Sequence, residues 1–224
     1  MFDLDDTLWP IVPVIQAAEA RLHVWLQQHV PAVAECWSIE SLRARRVVLM
    51  QENPNFQIDL WALRHAGLTE AFIACDADGS LVAQAMSVFS TARNAVTPFD
   101  DVVPALTRLG GQFKLGSISN GFADLQLIGL ASHFQSSLAA HSFGSAKPNS
   151  AIFRAACDAL SVSPSQAVYV GDDLQLDVAG AQNAGLRAVW INRFERSLPA
   201  DMHPDGVCGD LIELEAWLAR QRSN

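Results

Sequence analysis

The sequence predicts an α/β fold, in which a parallel sheet is covered by helices and a helical segment is inserted near the start of the chain. From residue 14 to about residue 95, apolar residues recur at spacings of three and four, which indicates packed helices. From residue 96 onward, short apolar runs alternate with helical periods, which is typical of a parallel sheet with helices on both faces. Half of the 224 residues are hydrophobic, so the chain can bury a full core.

The individual elements follow from these two patterns. The helical stretch contains the runs VIQAAEARLHVWLQQHV, SLRARRVVLM, IDLWALRHAGL and SLVAQAMSVFSTA, with breaks expected at Pro31, Pro54 and Gly67. The second stretch has strands predicted at FKLGSIS, SSLAAHS, AVYVGD, RAVWIN and GVCGD. Its predicted helices are DVVPALTRLGG, ADLQLIGLASHF, NSAIFRAACDAL, LQLDVAGAQNAG and LIELEAWLARQ.

Net charge, hydropathy and cysteine spacing limit the classes of partner. Acidic residues outnumber basic ones by 24 to 15, for a net charge of −9, which argues against nucleic acid as the main partner. The one basic cluster, Arg43, Arg45 and Arg46, is interpreted as a solvated helix face. No apolar run is long enough to span a membrane, and the four separated cysteines are expected to be buried free thiols. We therefore expect a cytoplasmic protein without nucleic-acid or membrane partners, and the sequence makes no prediction of its oligomeric state.

Chemically active residue types follow the predicted strands. Ligand sites of parallel α/β sheets lie beyond the carboxyl ends of the strands, so residues that follow each strand are expected to converge. Hard oxygen ligands beside a hydroxyl and a lysine predict a magnesium site next to donors for a phosphoryl group. The residues in question are Asp3, Asp5 and Thr7 in the opening segment, Ser119, Asn120 and Gly121, Lys147, and Gly171, Asp172 and Asp173.

Four motifs in order along the chain resemble those of the haloacid dehalogenase superfamily of hydrolases. They are DLDDT at Asp3 to Thr7, SN at Ser119 and Asn120, KP at Lys147 and Pro148, and GDDLQLD from Gly171 to Asp177. The resemblance covers the whole predicted sheet region and implies a Rossmann-like catalytic core of residues 1–10 and 97–224. Residues 11–96 would then form the family's inserted helical cap domain.

The resemblance also implies roles for the opening aspartates. Asp3 would be the nucleophile that attacks phosphorus and forms an aspartyl-phosphate, which water then hydrolyses. Asp5 would protonate the leaving alcohol and then deprotonate the attacking water. In an extended segment residues two apart share a face, so both carboxylates could reach one phosphoryl group. Asp6, where many relatives have glycine, is interpreted as a loop residue without a chemical task.

The remaining site residues are assigned by the same resemblance. Mg²⁺ would be held by the carboxylates of Asp3 and Asp172 and by the backbone carbonyl of Asp5. Ser119 and the backbone amide of Asn120 would bind phosphoryl oxygens, and Lys147 would neutralise charge in the transition state. Asp177 could orient Lys147 or a metal-bound water. Asp173 could either bind a ligand of the metal, without touching the metal itself, or cap the N-terminus of a helix.

A second stretch, CDADGSL from Cys75 to Leu81, has the same D-x-D-x-[ST] spacing as the opening motif. A helical run begins directly after it, and choosing it would leave more than 70 upstream residues as an unexplained extension. Its glycine also comes at the fourth position, whereas a calcium loop needs it at the sixth. We interpret it as a polar turn between two cap helices.

Two other reaction classes stay open beside phosphate ester hydrolysis. Haloacid dehalogenases proper attack carbon and lack an aspartate at the position of Asp5, so Asp5 favours a phosphatase. A non-enzymatic phospho-acceptor signalling domain also groups aspartates, a hydroxyl residue and a lysine. In such a domain, however, the lysine comes last in the chain, whereas Lys147 precedes Asp172 and Asp173.

The substrate is expected to be a small-molecule phosphate monoester, because caps of this kind close over the core. Several stretches, among them FDLDDTL, ISNG and VGDDLQLDVAGA, resemble the branch of the family that dephosphorylates 5-amino-6-(5-phospho-D-ribitylamino)uracil and flavin mononucleotide. The candidates for contact with the leaving group are Trp9, Arg43, Arg46, Trp61, Arg64 and His65. The alternative is that Trp61 packs within the cap and that the cap arginines are solvated.

The first strand is shorter than expected. A buried central strand usually supplies about five mostly apolar residues ahead of a catalytic loop. This sequence supplies two, Met1 and Phe2. We therefore hypothesise that the true start lies upstream of Met1.

Overall fold

The computed structural model describes residues 1–222, which fold into two compact units. The first, here called the sheet unit, consists of residues 1–10, 97–121 and the chain from Gly129 onward. The second, the helical unit, consists of residues 11–96 and 122–128. The short segment 122–128 was not part of the predicted cap, and the functional division into catalytic core and cap domain stays a prediction.

Most strands and helices lie close to the predicted runs, but the predicted helix ADLQLIGLASHF forms only a four-residue helix, Leu125–Ile128, and a 3₁₀ turn, Ala131–His133. The strands are β1 (Gly116–Ser119), β2 (Ser136–Ala139), β3 (Val168–Gly171), β4 (Arg187–Ile191) and β5 (Gly206–Cys208). The helices are α1 (Ile11–His29), α2 (Pro31–Cys36), α3 (Ile39–Glu52), α4 (Leu60–Ala74), α5 (Val82–Arg93), α6 (Val102–Gly110), α7 (Leu125–Ile128), α8 (Ala140–Phe143), α9 (Ser150–Ala159), α10 (Gly180–Asn183) and α11 (Leu211–Arg222). A π-helical turn, Leu174–Ala179, leads into α10.

The sheet is parallel throughout the described strands, and the opening residues complete it. β1 pairs with β2, and β3 pairs with β4, which pairs with β5. Phe2 forms parallel bridges to Ser117 of β1 and Val170 of β3, so the Met1–Asp3 segment lies between these two strands. The predicted α/β class with a parallel sheet is confirmed, and the predicted upstream start stays a prediction.

One side of the sheet packs on α9, α10 and the π-helical turn. Its buried cluster includes Ile118 of β1, Phe153 of α9 and Trp190 of β4. The strands carry apolar residues on both faces because parallel strands are covered on both sides, which explains their continuous apolar runs.

The helical unit has its own core, in which α1 packs along α5 and α3 packs along α4. Leu22 and Leu26 of α1 meet Met86 and Phe89 of α5 in this cluster. The spacing of four residues between Leu22 and Leu26, and of three between Met86 and Phe89, places the members of each pair on one helix face, as the sequence pattern predicts.

The predicted break at Gly67 is wrong, because Gly67 lies inside α4. A Cβ atom at this glycine would lie 3.4 Å from Cγ of Arg46 and 3.7 Å from Cδ1 of Leu49, both on α3. The small residue therefore lets α3 and α4 approach closely rather than ending the helix. By contrast, Pro31 begins α2, where its missing N–H costs nothing.

The cysteine prediction is confirmed in part. All four cysteines are free thiols, and Cys157 and Cys208 are buried. Cys36, however, is exposed at the end of the short helix α2, and Cys75 is half-buried. The expectation of burial is wrong for Cys36, because its position on a two-turn surface helix leaves the thiol on the solvent side. Within the described residues, no helix is both long enough and apolar enough to cross a membrane.

Candidate active site

Asp3 ends the opening segment and is held on both sides by backbone hydrogen bonds. Its N–H donates to the Val170 carbonyl of β3 at 2.8 Å, and the carbonyl of Phe2 accepts from Ile118 of β1 at 2.9 Å. The Asp3 carboxyl group is nearly buried, with 7% of the residue exposed. Central pairing therefore places the first predicted catalytic residue at the carboxyl edge of the sheet.

A tight loop follows and carries Asp5 and Asp6. Leu8 N–H donates to the Leu4 carbonyl at 2.8 Å, and Asp6 N–H donates to the Trp9 carbonyl at 2.7 Å. Asp6 adopts a left-handed backbone with φ of 59°, which glycine adopts at less cost than other residues. This conformation explains why a glycine would suit the position. Asp5 itself is half-buried.

Lys147 connects two buried carboxylates. Its Nζ atom donates to Oδ1 of Asp3, to Oδ1 of Asp177 at 2.6 Å and to the Tyr169 hydroxyl at 3.1 Å. Burial lowers the pKa of Lys147, but the Asp177 and Asp3 carboxylates outweigh it and hold the pKa well above its usual value. The ammonium group is therefore charged at neutral pH. For Asp3 the balance differs: burial raises the pKa of its carboxyl group, and the charge of Lys147 only partly opposes this rise.

Asn120 fixes the backbone of Lys147, a role that the sequence did not predict for its side chain. Asn120 Nδ2 donates to the Lys147 carbonyl at 3.0 Å, and Lys147 N–H donates to Asn120 Oδ1 at 2.8 Å. These paired bonds join the loop after β1 to the loop that carries the lysine. Ser119, the other half of the motif, is buried and its hydroxyl accepts from Gly121 N–H at 3.0 Å.

The end of β3 supplies three more aspartates with distinct contacts. Asp173 Oδ1 accepts from the N–H groups of Gln175 and Leu176 at 2.8 Å each, so Asp173 caps the π-helical turn. Asp177 accepts from Lys147 with one oxygen and from Asp173 N–H, at 2.9 Å, with the other. Of the two open alternatives for Asp173, the helix cap is therefore the one observed.

Asp3, Asp172 and Asp177 form the acidic cluster of this site. Each offers one carboxylate oxygen, and these atoms lie within 4.8 Å of one another. Burial, followed by the charges of Asp177 and Asp6, raises the pKa of Asp172 to about 7. Three carboxylates against one buried ammonium leave an excess of negative charge that a divalent cation would offset. The hard oxygen donors suit Mg²⁺, so the residues fit this cation.

Two residues, one of β4 and one of the loop after it, hold Asp172, and neither was predicted from the sequence. Trp190 Nε1 donates to the Asp172 carbonyl at 2.8 Å. Arg196 Nη2 donates to the same carbonyl at 2.5 Å and to Asp172 Oδ2 at 3.1 Å. Both contacts join positions that are 18 and 24 residues apart in the chain, so local patterns could not predict them.

Arg193 is a further residue that the sequence did not single out. Its Nε donates to the carbonyl of Thr7, in the loop after Asp3, at 2.8 Å. Its Nη1 and Nη2 atoms bind the Asp101 carboxylate at 2.9 and 3.0 Å. The Arg193 side chain is only 6% exposed, and its guanidinium stacks on Phe99 at 4.1 Å from the ring centroid. This buried pair anchors the loop that carries Asp5.

Trp9 does not have the environment of a leaving-group contact. The residue is fully buried, with 0% exposure, and its Nε1 donates to Asp5 Oδ1 at 2.8 Å. A side chain without solvent exposure presents no surface to a substrate, so this candidate was wrong. Its indole instead contacts a predicted catalytic carboxylate.

The expectation of solvated arginines holds for Arg43, whose side chain is 44% exposed, and is wrong for Arg46 and Arg64, at 15% and 9%. Glu19 of α1 is 4% exposed and binds Arg43 and Arg46 at 2.5 Å each and Arg64 at 3.5 Å. Arg64 also stacks on Phe89, with Cζ 3.5 Å from the ring centroid. The buried carboxylate draws Arg46 and Arg64 inward, which the helical pattern alone does not reveal. Arg45, the third member of the predicted solvated face, binds Glu70 at 2.6 Å and Glu52 at 3.1 Å.

The remaining candidates of the helical unit are an aromatic ring and an exposed histidine. Trp61 packs edge-on against Phe122, with 5.5 Å between ring centroids, and belongs to the border of the helical core. His65 is exposed, and its Nδ1 lies 3.4 Å from the Thr69 hydroxyl. The predicted polar turn around Cys75–Leu81 is confirmed, since Asp76 lies between α4 and α5 and Asp78 caps a 3₁₀ turn.

The geometry agrees with what sequence comparison finds. Residues 1–185 match the profile of the haloacid dehalogenase-like hydrolases. The chain is 31% identical over 198 residues to the 5-amino-6-(5-phospho-D-ribitylamino)uracil phosphatase YigB of Escherichia coli, covering 85% of this chain and 81% of that protein. It is 34% identical over 212 residues to a glyceraldehyde 3-phosphate phosphatase of Methanopyrus kandleri, covering 91% and 86%.

A solved structure has the same fold over nearly the whole chain. The crystal structure of a 2-haloacid dehalogenase from Pseudomonas syringae superposes with a TM-score of 0.92 at 39% identity, covering 98% of this chain and 97% of that one. Profile, relatives and structure agree on one family, although the two relatives are named as phosphatases and the solved structure as a dehalogenase. The chain belongs to the haloacid dehalogenase-like hydrolases, and it is an enzyme that acts as a hydrolase.

Proposed function

We propose that this protein hydrolyses a small-molecule phosphate monoester through an aspartyl-phosphate on Asp3, with Mg²⁺ as cofactor. One observation carries the proposal. The buried Asp3 carboxylate is bound by Lys147, and a second aspartate, Asp5, follows two residues later in an anchored loop. A nucleophile, a general acid and a cation for the phosphoryl charge are what phosphoryl transfer to a carboxylate requires.

The two displacement steps use these residues in turn. A carboxylate oxygen of Asp3 attacks phosphorus, the ester P–O bond breaks, and Asp5 gives its proton to the departing alcohol. Water then attacks the phosphorus, the Asp3–phosphate bond breaks, and Asp5 takes the proton of that water. Inorganic phosphate leaves and both aspartates return to their starting state.

The residues around Asp3 bind and orient the phosphoryl group. The Ser119 hydroxyl and the backbone amide of Asn120 donate to its oxygens, and the Lys147 ammonium offsets the charge that builds up in the transition state. The paired bonds of Asn120 to the Lys147 backbone support this arrangement by fixing the lysine loop. Asp177 acts behind them by orienting Lys147.

The carboxylates of Asp3 and Asp172 and the backbone carbonyl of Asp5 would hold the cation. Bound there, Mg²⁺ would reduce the repulsion between the Asp3 carboxylate and an anionic phosphate ester. The cluster of Asp3, Asp172 and Asp177 supports this set of ligands. Asp177 already accepts from Lys147 and Asp173, so we assign it to positioning rather than to direct ligation.

For the substrate we propose the flavin-precursor type of phosphate ester, with sugar and nucleotide monophosphates as alternatives. The similarity to YigB, which is named as a phosphatase of a phosphorylated ribitylaminouracil, supports this class. The motifs FDLDDTL and VGDDLQLDVAGA point to the same branch.

The experiment is a panel of phosphate monoesters assayed with Mg²⁺ for release of inorganic phosphate. It includes p-nitrophenyl phosphate, flavin mononucleotide, the ribitylaminouracil phosphate, glyceraldehyde 3-phosphate and a nucleoside monophosphate. We expect turnover that requires Mg²⁺ and that is highest for the flavin-type esters. Equal rates on all esters would remove the support for the branch, and no turnover of any ester would contradict phosphatase activity.

The second candidate is a 2-haloacid dehalogenase, which the similarity to the 2-haloacid dehalogenase structure from Pseudomonas syringae favours. Such an enzyme attacks carbon and needs no proton for its leaving halide, so Asp5 would have no task. Chloride release from 2-chloropropionate is therefore measured for the wild type and for Asp5→Asn. A phosphatase loses its phosphate release in Asp5→Asn, whereas a dehalogenase releases chloride in both proteins.

The signalling alternative predicts a different product from the same assay. A phospho-acceptor domain would accumulate a stable phospho-aspartate without turnover. Mass spectrometry of the protein after incubation with p-nitrophenyl phosphate and Mg²⁺ detects this species as a persistent addition of one phosphoryl group. Continuous phosphate release without such accumulation supports the enzyme.

A further inference from the structure

The indole of Trp9 forms a direct hydrogen bond to the carboxyl group of Asp5. Trp9 Nε1 donates to Asp5 Oδ1 at 2.8 Å, and Trp9 is completely buried. The backbone supports the same pairing, since Asp5 and Trp9 form a bridge and Asp6 N–H donates to the Trp9 carbonyl at 2.7 Å. The five residues from Asp5 to Trp9 therefore close into a loop whose two ends are joined through both backbone and side chain.

The anchor of this loop is rigid. A fully buried tryptophan is held by packing on all sides and has a single N–H donor in one direction. Asp5 is half-buried, and its carboxyl group turns about a terminal torsion that has broad minima. A fixed donor on one carboxylate oxygen sets the plane of the group.

We propose that Trp9 is a positioning residue that orients the Asp5 carboxyl group as the general acid toward the leaving-group oxygen. This inference rests on the proposed phosphatase function. General acids act only within hydrogen-bond reach of the atom that they protonate, so a rotated Asp5 loses part of its effect. Trp9 acts through Asp5 and does not contact the substrate.

The leaving group separates this role from a purely structural one. Phenolate is a poor leaving group that gains from protonation, whereas p-nitrophenolate leaves with little need of a proton. The two substrates share a phosphate and an aromatic ring, so binding differences are small. The ratio of kcat/KM for phenyl phosphate to kcat/KM for p-nitrophenyl phosphate therefore reports on Asp5, and a partly unfolded sample lowers both values equally.

The test compares this ratio in the wild type, Trp9→Phe and Trp9→His. Phenylalanine keeps an aromatic ring without the N–H, and we expect the ratio to fall by about tenfold, as part of the 10²–10⁴ that a general acid supplies. Histidine retains a ring N–H, and we expect a smaller fall. Trp217→Phe is the matched control, since it removes an indole from α11 of the same unit, and its ratio should equal that of the wild type.

An unchanged ratio in both Trp9 variants, or an equal loss of activity on both substrates, would overturn the inference. A wild type that hydrolyses neither substrate would instead overturn the proposed function on which it rests. The two failures are distinguished by the wild-type rates alone.

Discussion

Lys147 and Asp177 form a buried ion pair, with Nζ of the lysine 2.6 Å from Oδ1 of the aspartate and side chains that are 3% and 1% exposed. Lys147 belongs to the loop after α8, and Asp177 belongs to the π-helical turn after β3. The pair therefore ties two loops at the carboxyl edge of the sheet. Because Nζ also binds Asp3, a change at Asp177 should reach the nucleophile through the lysine.

Gly171 tests this coupling. A Cβ atom on Gly171 would lie 2.4 Å from Cγ and Oδ2 of Asp177, so an alanine there forces the aspartate to move. We expect Gly171→Ala to reduce phosphate release at least about tenfold and to destabilise the protein by about 1–3 kcal/mol. The control is Gly110→Ala, whose Cβ would meet only Cδ1 of Leu115, at 3.8 Å. Phosphate release and urea unfolding measure both effects, and equal behaviour of the two variants would contradict the coupling.

Arg193 should stabilise the loop after Asp3. Replacement by lysine removes the bidentate contact to Asp101 and the bond to the Thr7 carbonyl. We expect Arg193→Lys to lower the free energy of unfolding by about 2–4 kcal/mol, since a buried pair loses one well-matched partner. Arg108→Lys is the matched control, because Arg108 binds Glu215 while 52% exposed, and we expect a clearly smaller change there. Similar values for both variants in urea unfolding would argue against a special role of Arg193.

Glu19 should hold the arginines of the helical unit together. Glu19→Gln leaves the guanidinium groups of Arg43, Arg46 and Arg64 facing one another without their buried counter-charge. We expect a loss of about 3–5 kcal/mol in the free energy of unfolding. Glu52→Gln, which removes a partner of Arg45 that is 55% exposed, should cost less than about 1 kcal/mol. A Glu19→Gln protein as stable as the wild type would show that the cluster adds no stability.

Asp172 should make metal binding depend on pH. Burial and the charges of Asp177 and Asp6 raise its pKa to about 7 in the metal-free protein. The folded state then binds a proton that the unfolded state releases near the ordinary carboxyl pKa, so metal-free stability falls as pH rises toward 7. Mg²⁺ needs the carboxylate, and its stabilising effect should therefore grow over the same range.

The measurement is the Mg²⁺-induced shift of Tm at about pH 6 and about pH 8. We expect the larger shift at the higher pH, and Asp172→Asn should show little shift at either value. A wild-type shift that is independent of pH would contradict this assignment of Asp172.

The sequence predicted the strand ends well because apolar runs and their following residues are local features. Asp3 and Asp172 each follow a short apolar run, Lys147 lies in the loop between α8 and α9, and the structure brings Asp3, Lys147 and Asp177 into direct contact. Trp9 was misassigned because its neighbours in the sequence say nothing about the burial of its indole.

Local sequence patterns could not identify residues whose role depends on contacts with distant parts of the chain. Tyr169 lies in an apolar strand, so its position predicts a residue of the hydrophobic core. Its hydroxyl, however, donates to the Ile118 carbonyl at 3.1 Å and accepts from Lys147. Arg193 lies in an irregular loop and binds a carbonyl 186 residues away in the chain. Gly67 is a residue for which the local pattern predicted too much. A glycine suggested a helix break, but α4 continues through it because α3 packs closely at this position.

The most direct test of the central claim compares Asp3→Asn with Asp76→Asn, because both aspartates open a D-x-D-x-[ST] stretch. Release of phosphate from p-nitrophenyl phosphate with Mg²⁺ is measured for both variants and the wild type. We predict that Asp3→Asn abolishes phosphate release and that Asp76→Asn retains the wild-type rate. Loss of phosphate release in Asp76→Asn together with full activity in Asp3→Asn would contradict the assignment of Asp3 as the nucleophile.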